Sequence, residues 1–158
     1  MQSGAQLRPI VVVDDNPDDL FFFRRALAKA KIENPVFVAH DGDEAIDTMQ
    51  KLATAMAEGE PVPLIAFLDL KLPRANGFAV LEWIRAQPLF GSMPVAVLSS
   101  SAEPRDVTRA CDLGAAMYLV KQPAADDLLA AISAAIVLAE EGDWTRLKLP
   151  GVEKPSRP

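Results

Sequence analysis

Polar residues stand directly after short apolar runs at four places: the pair Asp14 and Asp15, then Asp69, Ser99 and Lys121. If those runs are neighbouring strands, these side chains converge at one edge. Three carboxylates brought together repel one another, so a positive charge must compensate or a pKa must rise. A hard divalent cation meets that need, and Mg2+ prefers a few carboxylates together with water and phosphate oxygens. A lysine beside them binds a phosphoryl oxygen, and a serine hydroxyl binds another. The set suits a metal and a phosphoryl group, with an Asp carboxylate as a nucleophile that forms an acyl phosphate. Each residue also has a plainer role. Asp14 and Asp15 are favoured helix caps. Asp69 before Leu70-Lys71-Leu72-Pro73 is an ordinary turn residue, Ser99, Ser100 and Ser101 are cap candidates, and a single lysine mostly sits at a surface. The placement of all of them at the ends of predicted strands favours the chemical reading.

The elements that would position them alternate strictly. The apolar runs are Ile10-Val11-Val12-Val13, Val36-Phe37-Val38-Ala39, Leu64-Ile65-Ala66-Phe67-Leu68, Val95-Ala96-Val97-Leu98 and Met117-Tyr118-Leu119-Val120. Runs apolar at every position suit strands covered on both faces. Between them lie helical patterns. Pro17 opens the first, with Leu20, Phe23 and Leu27 on one face. Asp41 or Asp43 caps the second, which carries Ala45, Ile46, Met49, Leu52 and Ala53. The third runs from Gly77 to Arg85. Ser101-Ala102-Glu103-Pro104 opens the fourth and Gly114 closes it. The fifth runs from Asp126 to Glu141. Such alternation predicts an α/β fold, a doubly wound parallel sheet with right-handed crossovers. Ligands of such sheets bind beyond the carboxyl ends of the strands, near the topological switch point.

Composition narrows the function. The chain has 158 residues, the size of one ordinary domain with a short extension. Its net charge of −6 argues against nucleic acid as the main partner. One cysteine, Cys111, excludes an intrachain disulfide, and one histidine, His40, excludes a His-rich zinc site. There is no apolar run of about 18 residues to span a membrane, and the first residues lack the pattern of a signal peptide. The expectation is a soluble, cytoplasmic, acidic domain.

The chain resembles the receiver domain of two-component response regulators over residues 8 to 141. The resemblance rests on Val13-Asp14-Asp15-Asn16, Leu68-Asp69-Leu70-Lys71-Leu72-Pro73, Val97-Leu98-Ser99-Ser100 and Tyr118-Leu119-Val120-Lys121. Asp14-Asp15-Asn16-Pro17-Asp18-Asp19, with Trp144 and Leu149-Pro150 in the tail, is similar to stand-alone receivers serving phytochrome-type sensor histidine kinases. The resemblance implies the flavodoxin-like (βα)5 fold with strand order 2-1-3-4-5. It implies that Asp69 accepts a phosphoryl group from a kinase phosphohistidine, with Mg2+ held by Asp14, Asp15, Asp69 and the backbone carbonyl of Lys71. Ser99 and Lys121 would bind the phosphoryl group. Ser99 and Tyr118 would form the switch, Tyr118 moving from exposed to buried, and the fourth helix, fifth strand and fifth helix would be the output face. The only enzymatic activity implied is the chain's own phosphorylation and dephosphorylation. The chain departs from the family pattern at Gln122, which separates Lys121 from Pro123 and puts a cis bond and the local loop shape in doubt.

Two other classes compete. A phosphatase of the haloacid dehalogenase type also uses an Asp at a strand end with Mg2+, but needs a second Asp two residues on, where this chain has Lys71. A pseudo-receiver acting as a dimeric scaffold has only Gln122 in its favour. Phe21, Phe22 and Phe23 cannot all face one core, so one or two are expected to reach a partner. Val137 and Leu138 on the fifth helix mark a candidate dimer patch. Trp144, Leu147 and Leu149 in residues 142 to 158 are spaced to grip an apolar groove, which predicts a homodimer through the fifth helix and this extension.

Overall fold

In the computed structural model the described residues are 8–72, 76–100 and 103–141. They form β1 (Ile10–Val13), α1 (Pro17–Lys29), β2 (Val36–Ala39), α2 (Gly42–Ala57), β3 (Ile65–Asp69), α3 (Gly77–Ala86), β4 (Val95–Ser99), α4 (Pro104–Asp112), β5 (Met117–Val120) and α5 (Ala125–Glu141). The five strands are parallel in the order β2-β1-β3-β4-β5. Chain order therefore reverses at β1, which pairs with β2 on one side and β3 on the other. A crevice opens beyond the carboxyl ends of β1 and β3 at such a switch point.

The all-apolar runs are buried because helices cover both faces. Successive residues of a strand point to opposite faces. Ile10, Val12, Ile65 and Phe67 join Phe23 and Leu27 of α1 and Leu128, Ile132 and Ala135 of α5. Val11, Val13, Ala66 and Leu68 join Ala45, Met49 and Leu52 of α2 and Val80, Leu81 and Ile84 of α3. A third group, beneath α4, holds Leu70, Phe78, Val97, Ala110 and Tyr118. Phe23 packs edge-on to Phe67, whereas Phe21 and Phe22 are exposed, as a run of three aromatics on one helix requires.

Local signals set the ends of the elements, with some differences from the expectation. The Asn16 side chain caps α1 by accepting from the amides of Asp18 and Asp19, and Asp41 caps α2 through Glu44 N–H. The cap of α4 is Glu103, without a side-chain hydrogen bond, not Ser99 or Ser100; Pro104 at the first helical position sets the start. Ser101 lies outside the described residues. Asp69 and Ser99 belong to their strands instead of following them, since each still pairs with the neighbouring strand, Asp69 with Leu98 and Ser99 with Val120. The fifth helix begins at Ala125, one residue earlier than its acidic first turn suggests.

Candidate functional site

The register brings the four places together. Val13 aligns with Leu68, so Asp14 stands level with Asp69 across β1 and β3. Ser99 aligns with Val120, and the amide of Lys121 donates to the Ser99 carbonyl at 2.7 Å. Lys121 then reaches back over β4 to the carboxylates. Its Nζ lies 2.8 Å from Asp69 Oδ2 and 3.4 Å from Asp14 Oδ1. The contact with Asp69 Oδ2 is ionic and lacks the angles of a directed hydrogen bond. The other oxygen, Oδ1, accepts from the Lys71 amide at 3.0 Å, and Asp14 Oδ1 accepts from Asn16 N–H at 2.9 Å. Asp14, Asp69 and Ser99 are the buried polar residues here, each at most 2% exposed. Asp15 is exposed. Carboxylate oxygens of Asp14, Asp15 and Asp69 nevertheless lie within 4.8 Å of one another.

The charges do not balance. Burial raises the Asp14 pKa; the charges of Asp69 and Asp19 add to the rise, while Asn16 N–H and Lys121 oppose it. Burial alone would lower the Lys121 ammonium, but its contacts with Asp19 and Asp69 and the charge of Asp14 outweigh burial and hold it above the ordinary lysine value. An all-oxygen set with surplus negative charge fits a hard divalent cation such as Mg2+ or Mn2+.

Other candidates fall on either side of this centre. Tyr118 is buried at 9% exposure against Leu70, Phe78, Val97 and Ala110. Its hydroxyl shares a hydrogen bond with the Ser99 side chain, and burial raises its pKa. The expected starting point for Tyr118 was exposed. Here it is packed inward, because the aromatic ring finds an apolar pocket and the hydroxyl finds Ser99. The side chain of Lys71 is exposed, and its backbone amide donates to Asp69. Gln122 adopts a left-handed backbone (φ +58°), and no cis peptide occurs among the described residues.

Comparison with known proteins decides the family. Residues 10–133 match the model of the response regulator receiver domain. The chain belongs to that family. This receiver is 30% identical to the response regulator Rcp1 of Synechocystis over 75% of its own length and 80% of Rcp1. It is 32% identical to the bacteriophytochrome response regulator AtBRR, with a TM-score of 0.66, covering 92% of this chain and 98% of that one. It is also similar to the phosphorylated cyanobacterial phytochrome response regulator RcpA, at 29% identity and TM-score 0.64, covering 91% and 99% of the two chains. Rcp1 has itself been solved in a Mn2+-bound form. Receivers work with sensor histidine kinases as signalling proteins, and this chain is similar to the phytochrome response regulators among them. No helix among its described residues is long and apolar enough to cross a membrane.

Two residues that shape the site were not singled out from the sequence. Asp19, in the first turn of α1, accepts from Lys121 Nζ at 2.8 Å. In sequence it reads as an acidic residue placed to favour the helix dipole. Gly77 begins α3, and its amide donates to the Leu70 carbonyl at 3.0 Å. A Cβ there would lie 2.6 Å from Leu70 Cα and press on the Asp69 carbonyl. Only glycine lets α3 start this close to the strand end that carries Asp69. The signal available for it was a lone glycine at a helix start.

Proposed function

We propose that the chain is a stand-alone response regulator that accepts a phosphoryl group on Asp69 from a phosphohistidine of a sensor histidine kinase. The carrying observation is the convergence of Asp14, Asp15 and Asp69 with the Lys121 ammonium at the switch point. A carboxylate oxygen of Asp69 attacks phosphorus, the P–N bond breaks with its electron pair going to nitrogen, and the imidazole leaves as the neutral base that carries the proton already on its other ring nitrogen. Phosphoryl transfer needs in-line placement and charge neutralisation more than covalent help. Asp14, Asp15, Asp69 and the Lys71 carbonyl would hold Mg2+, which when bound offsets the negative charge of the carboxylates and the phosphoryl group. Lys121 supplies the remaining positive charge and donates to a phosphoryl oxygen. The likeness to AtBRR and RcpA supports a phytochrome-type kinase as partner.

The output step follows from the Ser99–Tyr118 hydrogen bond. On phosphorylation Ser99 exchanges Tyr118 for a phosphoryl oxygen, and Tyr118 repacks beneath α4. That helix buries only Ala110, so it is thinly anchored. Val120 on β5 and Leu129 and Val137 on α5 are exposed and apolar, which supports an α4-β5-α5 contact face and a homodimer. The side chain of Leu138 and residues 142 to 158, with Trp144, Leu147 and Leu149, lie outside the described residues.

Intact mass after incubation with acetyl phosphate tests the chemistry, with size exclusion alongside. The expected result is gain of one phosphoryl group by the wild type, only with Mg2+, and none by Asp69→Asn. No gain by the wild type, together with no metal-dependent binding of beryllofluoride, would overturn the reading. Deleting residues 143 to 158 with no change of mass in solution would remove the extension from the dimer.

A further inference from the structure

Asp19 has no part in the reaction as described, yet it holds the shortest directed contact of the Lys121 ammonium. Its side chain is 14% exposed, and its Oδ2 accepts from Lys121 Nζ at 2.8 Å. Its Oδ1 accepts from Gln122 Nε2 at 3.5 Å. The ammonium thus faces Asp19, Asp69 and Asp14 at 2.8, 2.8 and 3.4 Å. Its directed hydrogen bonds go to Asp19 and Asp14, while Asp69 holds it by charge alone. Asp19 is fixed to the first turn of α1 beside the Asn16 cap. Asp69 sits on the strand. The lysine is stretched between a helix and the sheet.

We propose that Asp19 is a positioning residue, a fixed counter-anion that shares the Lys121 ammonium with Asp69. In doing so it sets both the cation affinity of the carboxylate cluster and the ease with which Lys121 turns to a phosphoryl oxygen. The second half rests on Asp69 being the phosphoacceptor; the first does not. Neutralising Asp19 removes one negative charge and hands the whole ammonium to Asp69 and Asp14. Both effects oppose a divalent cation, so Mg2+ binds less well. The same change frees Lys121 from a competitor for its protons, so at saturating Mg2+ the phosphoryl group is taken up faster. Damage to the site would lower both quantities. Opposite signs are the signature of a shared lysine.

The test uses the full chain as wild type, Asp19→Asn, Asp19→Glu and Asp18→Asn. Asp18 is exposed one residue earlier, so its variant makes the same charge change without the contact. Mg2+ affinity is read by calorimetry, and uptake from acetyl phosphate at saturating Mg2+ by intact mass. For Asp19→Asn the expected results are a Mg2+ dissociation constant raised about fivefold and uptake faster by about threefold, on the usual scale of coupling between contacting charges. Asp18→Asn stays within about twofold, and Asp19→Glu returns toward wild type. Equal shifts for Asp18→Asn and Asp19→Asn, or a fall in both affinity and rate, would overturn the proposal. If wild type neither takes up a phosphoryl group nor binds beryllofluoride with metal, the phosphoacceptor reading fails and the Mg2+ titration decides alone. In a Lys121→Met background the effect of Asp19→Asn on affinity must then shrink to that of a bare charge change, as given by Asp18→Asn. Simple additivity of the two would show that Asp19 does not act through Lys121.

Discussion

Two partly buried clusters of charge sit at opposite edges of the same sheet. At the amino edge, Arg85 of α3 donates from Nε and Nη2 to the Gly114 carbonyl, at 3.0 and 2.8 Å, and from Nη1 to the carbonyls of Phe90 and Gly91. Three backbone carbonyls accept from one cation, and the guanidinium ties the segments that enter β4 and β5. Burial lowers its pKa, but arginine has a wide margin and stays charged. At the carboxyl edge, Asp14, Asp19 and Asp69 share the ammonium of Lys121, and Asp15 adds a fourth carboxylate beside Asp14 and Asp69. There the charges are in surplus and the lysine serves several carboxylates at once. A satisfied buried charge holds structure together, whereas an unbalanced one is kept at a cost in stability and marks a place that awaits a ligand.

That contrast can be broken in four ways. The largest effect is expected from Asp69→Asn, which abolishes phosphoryl uptake while the chain stays folded, as circular dichroism and intact mass together would show. Next comes Arg85→Met, which takes the guanidinium donors away from the half-buried Gly91 and Gly114 carbonyls and should cost about 2 kcal/mol in urea unfolding. Wild-type Mg2+ affinity in that variant would confirm that the amino edge is structural, and a lost metal site would erase the distinction. Gly77→Ala stands between the two, because it injures the scaffold of the carboxyl edge. A loss of about 2 kcal/mol is expected from the forced shift of the β3 end, together with slower uptake of the phosphoryl group. Unchanged stability would mean that α3 retreats freely.

The smallest effect has the opposite sign. The raised pKa of Asp14 means that the folded chain keeps this proton to higher pH than the unfolded chain does. Ionising it therefore costs stability. The cost grows as pH rises from the ordinary carboxylate value through the folded one, and is full above that. Asp14→Asn removes it, so the variant should be more stable at neutral pH without Mg2+, by on the order of 1 kcal/mol. The gain should fade below the ordinary carboxylate value. Denaturant midpoints at pH 7.5 and pH 3.5 measure it. A variant destabilised at pH 7.5 would show that the hydrogen bond from Asn16 matters more than the surplus charge.

The sequence by itself determined the sheet and the polar residues along its binding edge. Five runs apolar at every position require cover on both faces, and helical patterns between them leave a parallel sheet as the outcome. Once the strands are parallel, their carboxyl ends share one edge, so Asp14, Asp69, Ser99 and Lys121 meet by connectivity alone. Only the tertiary structure decided which partners they take. Asp19 lies in a helix, and its reach to Lys121 depends on how α1 is set against the sheet. Gly77 matters only because α3 starts against the end of β3. The inward Tyr118 depends on the pocket formed by Leu70, Phe78, Val97 and Ala110. Strand ends are placed by a period of two and by register, which are local properties read along the chain. Contacts between helix and sheet come from packing between segments far apart in sequence, and no local pattern encodes them.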